Sequence, residues 1–283
     1  MYRALCLAYF LLLGPLAKSL NTVRARHGIK HLLPISINHD MVSITPSLPE
    51  IDCPFELPIK CHGVGPIMLP AKSVEEVDKE LAQWLRNAPT ILINLGTLYV
   101  DTTESARSMA SVLAAILSQS GIQVLWKLKY NHLHDIQFMQ SLQSVVDQDR
   151  IRITAWIKPE TSAILAHADI LAIVHHGGMN TFFEACYAGI PQVVLPAWLD
   201  CYSTAGKVEY LGIGVYGNET NAPGVGEDEF LQALRRVLNN DEMKQKAEAL
   251  GRICRAKRSG REQASDIIDR VAKEAVARQK KEI

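Results

Sequence analysis

The sequence has no excess of charge of one sign and no regular cysteine pattern, two features that define several classes of protein. Its 283 residues carry 30 basic and 30 acidic side chains, so the formal net charge is zero. This balance gives no general attraction to nucleic acid or to an anionic membrane, and we predict no nucleic-acid partner. The six cysteines are scattered, with no C-x-x-C pair and no histidine at metal-ligand spacing. We therefore expect reduced, buried thiols, with pairing of Cys53 and Cys61 as the alternative in a secreted protein.

Two further absences bear on chemistry. No G-x-G-x-x-G follows any predicted strand, which argues against a dinucleotide-dependent oxidoreductase. Asp147-Gln148-Asp149 has the form of the acidic pair in metal-dependent transferases, but we interpret it as a polar loop before a strand. The sequence therefore predicts no metal site.

The N-terminal segment contains an apolar run, residues 4–13, that follows Arg3. The run is shorter than the roughly 20 apolar residues that a membrane-spanning helix needs. Pro15 stands where cleavage of a signal peptide after Ala17 would require a small residue. We interpret residues 1–30 as a buried helix with a basic end that stops at Gly28, in a cytoplasmic protein. The alternative is a signal or membrane-associated segment over residues 1–17.

The rest of the chain has two parts: a proline-rich stretch, and after it a stretch in which predicted strands and helices alternate. Residues 31–72 are rich in proline, which predicts an irregular connection with short extended pieces near 41–44 and 61–64. A boundary near residue 70 separates a first domain, residues 1–70, from a second, residues 71–283. In the second domain, apolar runs predict strands at 91–95, 124–128, 151–156, 170–174, 192–195 and after Gly212.

Helical patterns lie between and after these strands. Asp101 with Glu104 three residues later resembles a capped helix start. The other helices are predicted at 160–167, 180–188, 202–210, 227–238 and from 242 to near the end. This alternation predicts an α/β fold with a doubly wound parallel sheet.

One turn carries most of the chemical information. The strand at 170–174 delivers residues 175–181 to the carboxyl edge of the sheet, where ligands bind in such folds. Gly177 and Gly178 let backbone N–H groups approach a ligand, and a helix start near Asn180 favours an anion such as a diphosphate. Glu184 shares a helix face with Asn180 and could accept hydrogen bonds from ribose hydroxyls. The alternative is a plain glycine-rich turn with a cap at Asn180.

The wider pattern around this turn resembles a known family. His176-x-Gly178-x-Asn180-Thr181-x-x-Glu184, followed by Gly189-x-Pro191, Pro196 and Asp200, resembles the signature of family-1 UDP-glycosyltransferases, fungal members in particular. Supporting likenesses extend over about residues 20–270, at 61–66, 93–97, Trp156, Leu165, His167 and Gly260-Arg261. The resemblance implies the Rossmann-like C-terminal domain of the two-domain glycosyltransferase B fold. Residues 1–70 would be the end of the N-terminal acceptor domain and the connection.

The resemblance also implies a role for each matching residue. Trp156 would stack on the base, Glu184 would bind ribose, and Asp200 with Cys201 would meet the sugar. The diphosphate would be bound by Gly96, Thr97, His176, Gly178, Asn180 and Thr181. Cys201 departs from the glutamine that is frequent in the family, and a thiol is a weak hydrogen-bond donor, so sugar choice is expected to differ. The spacing from Trp156 to His167 is two residues longer than in common members.

The implied activity is inverting transfer of a sugar from a UDP-sugar to a hydroxyl of a small lipophilic acceptor, such as a secondary metabolite, with no cofactor and no metal. The family's general base is a histidine near the start of the acceptor domain, and this sequence begins near the end of that domain. His27, His31, His39 and His62 lie in the wrong context to replace it. The alternative is therefore a catalytically incomplete UDP-sugar-binding module that acts with a separate acceptor-domain chain, or a degenerate gene product.

Overall fold

The computed structural model describes residues 15–29, 41–54, 56–129, 135–167 and 169–279. The chain divides into two compact units, residues 1–44 with 56–62 and residues 45–55 with 63–283. The predicted domains, 1–70 and 71–283, stay a prediction. The apolar run at 4–13 lies outside the described residues, so its burial stays a prediction as well. Residues 18–29 of the same segment are exposed or partly exposed, so the prediction of a buried helix over residues 1–30 is wrong for that part.

The N-terminal part of the described chain has little regular structure. Helix α1, Pro15–Arg26, ends before Gly28, whose φ of +75° lies in the left-handed region that favours glycine at a helix end. Strands β1, Ser43–Thr45, and β2, Cys61–Gly63, pair at the two extended pieces predicted from the sequence. A 3-10 turn, Pro49–Ile51, lies between them.

The larger unit is the predicted α/β domain. Its six strands are β3 (Thr90–Asn94), β4 (Gln123–Lys127), β5 (Ile151–Thr154), β6 (Ile170–His175), β7 (Gln192–Val194) and β8 (Gly214–Tyr216). Its helices are α2 (Val74–Val77), α3 (Lys79–Leu85), α4 (Thr103–Ser118), α5 (Ile136–Asp147), α6 (Thr161–Leu165), α7 (Met179–Ala188), α8 (Cys201–Tyr210), α9 (Glu227–Leu238), α10 (Asp241–Ala256) and α11 (Gly260–Gln279). The strands are all parallel, in the order β5-β4-β3-β6-β7-β8. The predicted doubly wound parallel sheet is confirmed.

Both faces of the sheet are covered by helices. On β3, Ile91 and Ile93 pack in one core with Met109 of α4, whereas Leu92 packs in another with Trp84 of α3. Side chains alternate between the two faces of a strand, so a fully apolar strand indicates burial on both sides. The inner face of α4 is apolar, since Met109, Val112, Leu113, Ile116 and Leu117 are all buried.

Some local predictions were wrong or incomplete. Thr102, not Asp101, caps α4, because the Thr102 hydroxyl accepts from the Ser105 N–H at 3.1 Å while Asp101 is buried. Helices α2, α3 and α5 were not predicted, although Asp135 caps α5 by accepting from the Phe138 N–H. Gln148 and Asp149 form the turn before β5, as interpreted, whereas Asp147 is the last residue of α5 and not part of a loop.

Cysteines and membrane-spanning potential can be examined within the described residues. Cys186, Cys201 and Cys254 are buried free thiols, as predicted, whereas Cys53 is an exposed free thiol and Cys61 is partly exposed. None of the helices in the described ranges combines the length and the apolar character needed to cross a membrane.

Candidate functional site

The candidate site lies where the order of the strands reverses. β3 and β6 are neighbours at the centre of the sheet. From β3 the chain continues to β4 and β5 toward one edge, and from β6 it continues to β7 and β8 toward the other edge. Ligands in open parallel sheets bind in the crevice beyond the carboxyl ends of such strands. A cavity of about 520 Å³ opens there, and we call it the switch-point cavity. Its lining includes Gly96, Thr97, Trp156, His176, Gly178, Asn180, Thr181, Asp200 and Cys201.

His176 is held between two glycines. A Cβ on Gly96 would lie 2.5 Å from His176 Cε1, and a Cβ on Gly178 would lie 2.5 Å from His176 Nε2. Real Cβ atoms are not found that close, so both positions have to be glycine for the ring to lie where it does. Burial lowers the pKa of His176, and its buried Nδ1 has no hydrogen-bond partner among the described residues. The ring is therefore a neutral polar group with hydrogen-bonding capacity to spare inside the cavity.

The helix that follows begins without a side-chain cap. α7 starts at Met179, its N-cap is Gly178, and no side chain bonds to its first N–H groups. The alternative interpretation is wrong about the cap, because Asn180 is the second residue of the helix; the choice between a ligand site and a plain glycine-rich turn stays a prediction. Uncapped N–H groups and the helix dipole make such a helix start favourable for an anion. Thr181, which is buried, and the exposed Asn180 both line the cavity beside it.

A second histidine fixes the turn from beneath. His175 is fully buried, and its Nε2 lies 2.9 Å from Oε1 of Gln192 on β7. Its Nδ1 accepts the N–H of Gly177 at 3.2 Å, so Nε2 carries the proton and donates to Gln192. Burial lowers the pKa of His175 to about 3, which keeps this tautomer uncharged. The sequence had placed His175 at the edge of the sheet but had given it no role.

Asn94 organises the opposite wall and was also missed. Its Oδ1 accepts the Gly96 N–H at 3.1 Å, and its Nδ2 donates to Thr161 Oγ1 at 3.0 Å. One side chain thus ties the turn after β3 to the start of α6. The signal for it in the sequence was an amide at the end of an otherwise apolar strand.

Trp156 lies at the mouth of the cavity. Its side chain is 60% exposed, and Lys127 Nζ lies 4.5 Å from the ring centroid. Lys127 is the last residue of β4 and also lines the cavity, although no motif in the sequence marks it. An exposed indole face at the mouth is suited to stacking on a planar ring.

Asp200 and Cys201 lie at the start of α8 on the other side of the mouth. Asp200 is exposed, whereas Cys201 is buried and its N–H donates to the Trp198 carbonyl. Burial, followed by the charge of Asp200, raises the pKa of the Cys201 thiol. The thiol therefore stays protonated and offers at most a weak hydrogen bond.

Glu184 is the predicted residue that does not line the switch-point cavity. It lines an adjoining cavity of about 490 Å³, which shares Asn180 and Glu160 with the first. Burial and the neighbouring Glu160 raise the pKa of Glu184 to about 7. Among the described residues, no group of three or more His, Cys, Asp or Glu side chains is placed to hold a metal ion.

Comparisons with known proteins agree with this arrangement. The family model described as UDP-glucoronosyl and UDP-glucosyl transferase matches residues 36–259. The chain belongs to this family. The glycosyltransferase sdnJ from Sordaria araneosa is 36% identical over 90% of this chain and 55% of its own length. UDP-glucuronosyltransferase 2A3 of Homo sapiens is 28% identical over 65% of this chain and 31% of its own length.

Solved structures support the fold of this family member. A UDP-glucose:anthocyanidin 3-O-glucosyltransferase in complex with UDP superposes with a TM-score of 0.63, at 17% identity, over 82% of this chain and 53% of that one. Os79 from O. sativa in complex with UDP superposes with a TM-score of 0.52, at 21% identity, over 65% and 39%. The chain thus spans about half the length of the Sordaria relative and a third of the human one, and its fold is that of solved UDP-glycosyltransferases.

Proposed function

We propose that this chain binds a UDP-sugar in the switch-point cavity, and that the site serves inverting transfer of the sugar to a hydroxyl of a small lipophilic acceptor. The observation that carries the proposal is the His176 ring between Gly96 and Gly178, at the uncapped start of α7. A neutral donor and free backbone N–H groups meet there in a cavity at the strand switch point, which is the arrangement a diphosphate requires.

Residues on either side of His176 are suited to bind the nucleoside and the sugar of a UDP-sugar. The exposed face of Trp156 offers a stacking platform for uracil. Glu184, in the adjoining cavity one helical turn beyond Asn180, would accept hydrogen bonds from the ribose hydroxyls when it is ionised. At the opposite side of the mouth, Asp200 would accept hydrogen bonds from the sugar, and the buried Cys201 would contribute contact area.

The family's members support a UDP-sugar donor without selecting its sugar. The relatives include proteins named UDP-glucuronosyltransferase 2A3 and 2-hydroxyacylsphingosine 1-beta-galactosyltransferase, and structural neighbours named as glucosyltransferases. These names cover three sugars and acceptors from a sphingolipid to a plant pigment. We therefore propose the UDP moiety as the shared requirement, with a lipophilic hydroxyl compound as acceptor and neither a cofactor nor a metal.

A second candidate is a donor-binding module that needs a separate acceptor-domain chain for transfer. Of the histidines in the described residues, only His176 lines the cavity, and glycines enclose its ring. That arrangement leaves no second histidine there to take a proton from an acceptor hydroxyl, a step worth roughly 10²–10⁴-fold in rate. A cytoplasmic location, with membrane association of residues 1–17 as the alternative, remains a prediction.

The test separates binding from transfer. Calorimetric titration of the purified chain with UDP, repeated in EDTA and in Mg²⁺, should give one saturable site under both conditions. Absence of binding would refute both candidates, and binding that is lost in EDTA would refute the metal-free form. Release of UDP from UDP-sugars in the presence of phenolic or sterol acceptors should then be measured. Turnover by the chain alone supports the enzyme and rejects the binding-only module.

A further inference from the structure

Lys127 is a buried cation inside the switch-point cavity without an ion-pair partner among the described residues. It is the last residue of β4, is only 7% exposed, and lines the cavity. Removing an ammonium group from water is costly unless an opposite charge compensates it. The molecule meets this cost at another enclosed lysine: Lys207 Nζ lies 2.6 Å from the Asp52 carboxylate and also faces the Phe182 ring. Lys127 likewise faces an aromatic ring, that of Trp156, but it has no carboxylate partner among the described residues.

The charges around Lys127 leave its own charge uncompensated. Burial lowers its pKa, and repulsion from Lys129 lowers it further. Glu160 and Asp200 are the carboxylates that line the same cavity, and neither forms an ion pair with it. His176, on the neighbouring wall, has a pKa that is lowered by burial and in part by Lys127 itself. An anion between these groups would stabilise both.

The register of the strands places Lys127 in line with the predicted diphosphate turn. Lys127 pairs with Asn94 across β4 and β3, and Asn94 pairs with His175 across β3 and β6. Residues in register on parallel strands project to the same face of the sheet, and adjacent strands are about 4.8 Å apart. Lys127 therefore lies two strands, or about 10 Å, from the strand that leads into the His176 turn. A diphosphate between the two would have a cation on one side and the α7 helix start on the other.

We infer that Lys127 binds the diphosphate of the donor, opposite the start of α7, a role that rests on the proposed UDP site. The inference explains why a lysine is enclosed without a carboxylate: its partner is the ligand. It also assigns Lys127 a function distinct from that of Trp156, which lies beside it and would bind the base.

The first experiment compares two ligands that differ only in the diphosphate. UDP and uridine are titrated into the wild type, K127M and K127R, with K158M as the control. Lys158 is exposed and does not line the cavity, so K158M removes the same charge near the site without touching it. K127M should weaken UDP at least 10-fold, the usual effect of losing a charged hydrogen bond, and change uridine by less than about twofold. K127R should retain most of the affinity for UDP.

Each outcome separates this inference from the proposal on which it rests. Failure of the wild type to bind UDP would refute both the proposed UDP site and the role of Lys127. Unchanged UDP binding by K127M would overturn the role of Lys127 and leave the UDP site standing. Equal loss of UDP and uridine would also overturn it, because Lys127 would then act only by packing on Trp156.

A measurement on the wild type avoids dependence on a variant that fails to fold. The pKa of Lys127 can be followed by NMR of protein carrying ¹³C- and ¹⁵N-labelled lysine. Saturation with UDP should raise this pKa, since a diphosphate stabilises the charged form, whereas saturation with uridine should leave it unchanged. A pKa that UDP leaves unmoved would contradict the inference.

Discussion

The inner wall of the switch-point cavity and its mouth are built differently. In the wall, the His176 ring occupies space that a Cβ on Gly96 or on Gly178 would fill, and His175 and Asn94 hold the adjoining turns by hydrogen bonds. At the mouth, Trp156 is 60% exposed and Leu98, which also lines the cavity, is 83% exposed. The wall constrains the shape of the group that binds against it, whereas the mouth offers exposed surface that different groups can cover. This difference agrees with a diphosphate, which is constant, at the wall and with a sugar and an acceptor, which vary, at the mouth.

The largest expected effect comes from crowding the wall. G178A would place a methyl group 2.5 Å from His176 Nε2 and displace the ring from the cavity. We expect the affinity for UDP to fall by about 100-fold or more, measured by calorimetry.

The control for this change is another glycine. G206A adds the same methyl group in α8, where nothing lies within 4 Å of the new Cβ. It should leave UDP binding unchanged and raise the stability by about 1 kcal/mol, since alanine favours the helix. Normal UDP binding by G178A would show that the wall is not what holds the ligand.

The next effect comes from removing the ring without crowding the wall. H176A deletes one hydrogen bond to a charged group, worth about 2 kcal/mol, so UDP should bind about 30-fold more weakly. Uridine, which lacks the diphosphate, should be bound almost as by the wild type. Equal weakening of both ligands would place His176 against the nucleoside and break the proposed division between wall and mouth.

At the mouth, the effect should be smaller and tolerant of aromatic replacement. W156A should weaken UDP and uridine alike, by about 10-fold, since stacking on one base is worth about 1–3 kcal/mol. W156F should keep most of the affinity for both ligands. If W156A left the binding of uridine intact, the base would have to lie elsewhere.

The smallest expected effect is a dependence on pH at the ribose end. Glu184 has a pKa raised to about 7, so it ionises between pH 6 and 8 and becomes an acceptor for both ribose hydroxyls. Uridine should therefore bind about fivefold more tightly at pH 8 than at pH 6, and E184Q should abolish the difference. Asp101 also has a pKa raised to about 7 by burial, but it does not line either cavity, so D101N should keep the dependence. If D101N abolished the pH dependence, Asp101 and not Glu184 would be its source, which would contradict this prediction.

The sequence predicted those parts of the site that depend on local pattern. The positions of the strands, the turn at His176 and the start of α11 at Gly260 follow from apolar runs, glycines and a family signature within short stretches. All the predicted ligand residues except Glu184 line one cavity, because parallel strands bring their carboxyl ends to one edge.

The residues that were missed depend on partners from distant parts of the chain. His175 is bonded to Gln192 on another strand, and Asn94 to Thr161 at the start of a helix that follows β5. Lys127 reaches the cavity because β4 is in register with β3, which no single stretch of sequence reveals. The cap at Thr102 was missed for a different reason: Asp101 is equally able to cap a helix by residue type, but Thr102 is the residue that directly precedes the first helical residue, and its hydroxyl accepts from the Ser105 N–H.

The central claim is that His176 and the residues from Gly178 to Thr181 form the diphosphate site, and amide NMR tests it most directly. Titration of the isotope-labelled wild type with UDP should shift the backbone amides of residues 178–181 along one saturable curve. Uridine should shift the indole N–H of Trp156 while leaving those amides in place. Saturable UDP binding with unmoved amides at 178–181 would contradict the account.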